Sequence, residues 1–279
     1  MLSCVVNVSE GRDERVIRAI ADAGGRGVLD VHSDPDHHRT VLTMAGEEVE
    51  SWVQAVARRT VELVDLRRHQ GVHPRLGALD VVPFSPLDPG GHPVGAGDLA
   101  AALDARQRFA TWAGRTLALP CFFYGPERRL PDVRRSAFVR LEPDAGPMTP
   151  HPSAGACAVG ARFALVAYNL WLAVADLAVA RSIAAAVRGP AVRALGLSTA
   201  GVTQVSCNLT DPWSVGPAQV YDAVEVLARG AGTAVTRAEL VGLAPAAVVD
   251  AVPQTRWRQL DLDPGRTLEA RLAAVRSGR

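Results

Sequence analysis

Residues 1–46 read MLSCVVNVSEGRDERVIRAIADAGGRGVLDVHSDPDHHRTVLTMAG, and the punctuation of this stretch decides the fold class. Leu2–Val8 is a short apolar run closed by Ser9-Glu10-Gly11, the form of a strand that ends in a turn. Asp13–Ala23 carries apolar residues at Val16, Ala19, Ile20 and Ala23, a helical spacing, and Gly24-Gly25 ends it. Gly27–His32 and Thr40–Ala45 read as strands on either side of the polar loop Ser33–Arg39. Further along, Glu47–Val64 is an amphipathic helix, Ala78–Phe84 a strand, Leu99–Leu119 a helix and Cys121–Tyr124 a strand. The order β-α-β-β-α-β-α-β predicts an α+β sandwich with its helices on one face of the sheet.

Pro126–Pro152 is rich in Pro and Arg and has little periodicity, so it reads as a boundary region. The theme then repeats. Phe163–Leu170 reads as a strand, Val174–Val187 as a helix, Val202–Leu209 as a half-buried strand, Pro217–Arg229 as a helix and Ala234–Val241 as a strand. Pro245–Val252 reads as a short helix with proline in its first turn, and Leu268–Val275 has helical spacing. The expectation is two tandem α/β-sandwich (ferredoxin-like) subdomains, 1–137 and 138–279, with a ligand groove between them. The length of 279 residues agrees with a prior of roughly 150 per domain.

Composition excludes several function classes. The net charge is +1, which argues against a broad nucleic-acid footprint. All basic residues are Arg; without Lys there is no Schiff-base nucleophile and no lysine-dependent pyridoxal chemistry. Cys4, Cys121, Cys157 and Cys207 form no CxxC pair, and three of them sit in apolar strand-like runs, as reduced core thiols do. The N-terminus lacks the pattern of a secretory signal, and the apolar stretch Phe163–Ala180 is interrupted by Asn169 and Asp176, so no membrane span is expected. A cytoplasmic protein is the resulting expectation.

Four polar clusters could carry chemistry. The densest is His69-Gln70-Gly71-Val72-His73-Pro74-Arg75-Leu76-Gly77-Ala78-Leu79-Asp80. Gly71, Pro74 and Gly77 rule out a helix here, and with it the i, i+4 face that would pair His69 and His73 on a metal. A loop imidazole near neutrality can take a proton, and Arg75 can hold a carboxylate bidentately; otherwise His73 packs in a turn. In Asp34-Pro35-Asp36-His37-His38-Arg39-Thr40 the choices are a divalent metal, a polar turn, or substrate orientation by His38 and Arg39. Asn7-Val8-Ser9-Glu10-Gly11 is either a strand-end site or a helix cap. Gly146–Arg162 is small-residue rich and lacks the Walker and GxGxxG patterns; it either admits a ligand close to its backbone or is a tight boundary loop.

Taken together, these clusters resemble the glutamate formiminotransferase family: the transferase domain of formiminotransferase-cyclodeaminase and its stand-alone bacterial relatives. The resemblance rests on Asn7–Gly11, Asp34–Thr40, His69–Asp80 and Gly146–Asn169, and continues through Gln204–Leu209 and Glu239–Pro245. The string HxGxHPRxGALD is the most specific part.

The resemblance implies a cytoplasmic, homodimeric one-carbon transferase of histidine degradation. It would move a formimino group from N-formimino-L-glutamate to N5 of tetrahydrofolate, which is a co-substrate, without a metal. The family's catalytic His falls on His73. Its folate-binding loop falls on Gly146-Pro147-Met148-Thr149-Pro150-His151-Pro152-Ser153-Ala154-Gly155. Arg39, Arg75 and Arg162 become candidates for substrate carboxylates, and Asn7, Glu10 and His38 for further polar contacts. The chain departs from the family where Val6 and Val8 replace Pro and Phe, where His38 replaces Asn, and where Ala154-Gly155-Ala156-Cys157 replaces Trp-Gly-Ala-Thr. Other readings are a different donor such as formiminoglycine, a non-catalytic folate-like ligand binder, or a metal hydrolase using His37, His38, His69 and His73. No fused cyclodeaminase is expected, so any ammonia-releasing step falls to another protein.

Overall fold

Alternation along LSCVVNV becomes the first strand of a computed structural model that describes residues 1–71, 74–88, 92, 94, 98–199 and 201–277. Cys4, Val6 and Val8 point into the core, whereas Val5 and Asn7 on the other face keep part of their surface. The chain divides into two compact units, Met1–Leu87 with Val94–Arg162, and Asp88–Pro93 with Phe163–Arg279.

The first unit runs β1 (Leu2–Val8), α1 (Glu14–Ala23), β2 (Val28–Asp34), β3 (Arg39–Gly46), α2 (Val49–Leu63), β4 (Leu79–Pro86), α3 (Leu99–Thr116), β5 (Cys121–Tyr124), α4 (Leu130–Ser136) and β6 (Cys157–Ala161). Its sheet has the order β2-β3-β1-β4-β6-β5. β1 is antiparallel to β3 and β4, whereas β6 is parallel to β4 and β5. Asp13 caps α1 by accepting from the Arg15 and Val16 amides at 2.9 and 3.3 Å. The core lies between the sheet and α1–α3, where Ile20, Val53, Val56 and Phe109 meet Leu42, Met44 and Phe84.

The second unit runs β7 (Val166–Leu172), α5 (Leu177–Val187), β8 (Val192–Thr199), β9 (Val202–Leu209), α6 (Pro217–Gly230), β10 (Val235–Val241), α7 (Ala246–Asp250) and α8 (Leu268–Arg276), with sheet order β10-β7-β9-β8. β7-α5-β8-β9-α6-β10 repeats the β-α-β-β-α-β plan and strand order of β1-α1-β2-β3-α2-β4, so both units are ferredoxin-like α/β sandwiches. The first adds α3, β5, α4 and β6.

The two compact units meet after Arg162, whereas the sequence reading sets the subdomains at 1–137 and 138–279; β6 inserts between β4 and β5. Two expectations are corrected. Pro126–Pro152 is not a linker. It holds α4, and its far end is stitched to β5 by Cys121 N donating to Ala145 O at 2.8 Å and Phe123 N to the Asp144 carboxylate at 2.7 Å. Cys157–Ala161, read as loop, is a strand covered on both faces. β8 was also not anticipated. The four cysteines are free and buried, and burial pushes the Cys121 and Cys207 thiols up to about 12. Among the described residues no helix is long and apolar enough to cross a membrane.

Candidate active site

Strand direction gathers the polar clusters. Val8, at the end of β1, lies opposite Thr40 at the start of β3 and Leu79 at the start of β4. β6 runs parallel to β4, so the segment entering it arrives at the same end of the sheet. The Ser9–Asp13 loop, the Asp34–Arg39 turn, the 64–78 loop and the 146–156 segment therefore converge.

Short bonds lock these segments together. Ser9 donates through N and Oγ to the carbonyls of Ala78 and Gly77, each at 2.8 Å. Thr40 Oγ1 donates to Glu10 O at 2.6 Å. Leu66 N donates to Ser153 O at 2.8 Å, Ala78 N to Ala154 O at 2.9 Å and Ala156 N to Leu76 O at 3.1 Å. The two flanks of the 64–78 loop are thus bonded backbone to backbone with the Ser153–Ala156 stretch. The turn at the end of the 146–155 segment is closed by His151 and Gly155, whose backbones bond in both directions, while His151 Nδ1 accepts from Ala154 N at 3.0 Å. Ala154, where the resembling family carries Trp, is fully buried in the core. Gly77 bridges to Gly155, and a Cβ on it would lie 1.9 Å from Ala156 O and 2.7 Å from Ala154 O. Gly77→Ala is accordingly expected to destabilise the protein by about 2–3 kcal/mol, an overpacking cost; an unchanged denaturant midpoint would contradict this contact.

The imidazoles are held in distinct ways. His37 donates through Nδ1 to Asp34 at 2.6 Å. Burial raises the Asp34 pKa, but hydrogen bonds from the His37 ring and the His37 and Asp36 amides outweigh it and hold it at about 2. His38 Nδ1 accepts from Gly11 N at 3.0 Å, which leaves the ring proton on Nε2. His69 Nε2 donates to His38 O at 3.2 Å, the Arg75 guanidinium donates to His69 Nδ1, and the two rings stack with centroids 4.0 Å apart. Burial, then the positive charge of Arg75 and the competing His38 imidazole, push His69 down to about 4. Burial likewise lowers His38, with Glu10 opposing and Arg12 and Arg75 adding to it.

This fixes the sign of a pH effect. Between the ordinary imidazole value of 6.5 and about 4, the unfolded chain binds a proton on His69 that the folded chain refuses. Stability is complete above that window and falls as the pH drops through it. A melting series from neutral pH down to about pH 4.5 is expected to fall more steeply for the wild type than for His69→Gln; parallel curves would contradict the assignment.

Guanidiniums surround one buried carboxylate. Asp80 is 2% exposed, accepts Leu76 N at 2.6 Å and pairs with Arg134 at 2.5 Å. It also offsets the charges of Arg39, whose pKa burial pushes down to about 10, and Arg75. Such a cluster suits a carboxylate-bearing ligand. Arg134 and Asp80 were not singled out as site residues, and no sequence signal marks Arg134 in the aperiodic stretch that holds it.

Other anticipated residues fall differently. Asn7 donates to Val5 O at 3.0 Å. Glu10 Oε1 accepts the Gly11, Arg12 and Asp13 amides at 2.9, 2.7 and 3.0 Å, so it organises its own loop. Arg162 stands at the opposite end of β4, its amide donating to Phe84 O and its side chain bonded to Tyr124, outside the cluster. Met148 is exposed, and Gly146 takes φ +87° where it packs on Gly114 and the Leu119 carbonyl. His73 and Val72 lie outside the described residues; the chain reaches them from Gly71 and leaves at Pro74. Among the described residues no three His, Cys, Asp or Glu side chains are grouped to hold a metal, and His37 and the stacked His38 and His69 do not converge on a point.

Comparison with known proteins meets this geometry. Residues 1–162 match the family described as the formiminotransferase domain, N-terminal subdomain. The chain is 31% identical over 281 residues to the glutamate formimidoyltransferase of Streptococcus pyogenes serotype M1, covering 90% of this chain and 91% of that protein. It is 29% identical to the glutamate formimidoyltransferase of Thermoplasma acidophilum, covering 98% and 97%. It is 33% identical to the formimidoyltransferase-cyclodeaminase of Sus scrofa, covering 88% of this chain and 50% of that protein. The chain belongs to the formiminotransferase family of transferases.

Proposed function

We propose that the protein transfers the formimino group of N-formimino-L-glutamate to N5 of tetrahydrofolate, with His73 as general base. The observation that carries the reading is the convergence of four loops on one sheet end, with Arg39, Arg75 and Arg134 around the base of the His73 loop. N5 attacks the amidine carbon, and His73 accepts the N5 proton. The carbon–nitrogen bond to glutamate then breaks while His73 returns that proton to the leaving nitrogen. The balance is 5-formiminotetrahydrofolate and glutamate. A positioned base supplies about 10²–10⁴-fold, and holding both substrates together supplies much of the rest.

Arg39 and Arg75 hold the donor's carboxylates, and Gly146–Gly155 lies along the folate. The reading includes a cytoplasmic homodimer with no resident metal. The test is incubation with both substrates, followed by acid conversion of the product to the methenyl form, read by absorbance. Product supports the reading. Tetrahydrofolate binding without product moves the donor to another formimino amino acid; neither binding nor product overturns the folate assignment.

A further inference from the structure

We propose that His38 is a positioning residue that clamps the loop carrying His73 to the ends of β1 and β3. The inference rests on the transferase reading for its catalytic consequence and on geometry for the clamp itself.

His38 has φ +51°, a left-handed conformation that few side chains other than Asn, Asp and His tolerate. Such strain persists only where surrounding contacts enforce it, and it is a pointer to function. Here the contacts are of three kinds. The ring accepts the Gly11 amide through Nδ1. Gly11 itself has no room for a side chain: a Cβ would lie 2.3 Å from Asp34 O and 2.5 Å from Arg39 N. The His38 carbonyl accepts from His69 Nε2, and the two rings stack. Finally, the chain at Gly71 is laid directly on the turn, where a Cβ would lie 2.8 Å from both His37 O and the His38 Cβ.

Two residues beyond Gly71 is His73. One imidazole in an enforced conformation therefore connects the strand end, the turn and the entry to the catalytic loop. With Nδ1 committed to Gly11, its carbonyl to His69 and its ring face to the His69 ring, His38 acts on the reaction through the loop rather than on substrate.

The test compares wild type, His38→Ala and His38→Asn. A displacement of about 1 Å in a reacting group can cost on the order of 10²-fold, so His38→Ala is expected to lower kcat by about 10- to 100-fold with KM for both substrates nearly unchanged. Asn keeps tolerance of positive φ and an oxygen that can accept from Gly11, so His38→Asn is expected to recover most of kcat. A raised KM with unchanged kcat would overturn the proposal in favour of substrate contact. Equal losses in both variants would overturn it in favour of imidazole chemistry.

A second readout needs no activity. Ring nitrogen NMR is expected to find His69 neutral and protonated on Nε2 in the wild type at about pH 5.5. Its ring faces Arg75, His38 and Glu10. In His38→Ala it is expected to titrate nearer the ordinary 6.5. An unchanged His69 titration overturns the clamp. A wild type inactive on the proposed substrates overturns the transferase reading and leaves this arm to decide the clamp.

Discussion

His73→Ala is expected to reduce kcat by at least about 10²-fold, the lower bound for removing a positioned general base. The proposed transfer moves one proton from N5 to the departing nitrogen, and in the sequence His73 lies two residues after Gly71 and two before Arg75. A neutral imidazole is the side chain whose affinity for a proton suits both halves of that exchange near neutrality. Residual activity is expected, because bringing two substrates together is independent of the base. The measurement is steady-state kcat with melting temperature as the folding control. His73→Gln separates proton transfer from hydrogen bonding: it should be as inactive as alanine. A folded His73→Ala protein that loses less than about tenfold would remove His73 from the role of base. The pH profile gives a further check, since the acid limb of kcat/KM should disappear with the imidazole.

How far this could be read from the sequence depended on whether the information was local. Strand β1, helices α1 and α2 and strand β4 were visible because their apolar residues repeat at the period of the element, and Gly or Pro closes β1, α1 and β4. β6 was not visible. Cys157-Ala158-Val159-Gly160-Ala161 is packed on both faces between parallel neighbours, so it has small residues in place of alternation. The site clusters were visible because Gly, Pro and His are concentrated in loops. Their meeting was not, because it depends on Val8 pairing with both Thr40 and Leu79, two registers set by the whole sheet. The position of Arg162 was equally illegible: it follows a glycine-rich run in the sequence, but β6 carries it to the far end of the sheet. Arg134 joins Asp80 across 54 residues, and nothing local announces the pair.

Asp80 therefore carries the largest expected effect on stability. Its carboxylate is 2% exposed and holds both the Leu76 amide and Arg134, whose side chain is 19% exposed. Removing one partner of a buried ion pair leaves the other charge uncompensated, so Asp80→Ala is expected to cost about 3–5 kcal/mol in a denaturant titration. Arg39 and Arg75 raise that cost, because Asp80 also offsets their charges. Asp80→Asn retains an acceptor for Leu76 N and loses only the charge, so it should fall between wild type and Asp80→Ala. If uncompensated guanidinium charge is the main term, Asp80→Ala combined with Arg134→Leu should be more stable than Asp80→Ala alone, because the buried pair has been replaced rather than broken. Phosphate should also raise the melting temperature of Asp80→Asn more than that of wild type, since an anion that binds only the folded state stabilises it by mass action. A double variant no more stable than the single, together with no phosphate effect, would locate the cost in the lost bond to Leu76 and not in charge.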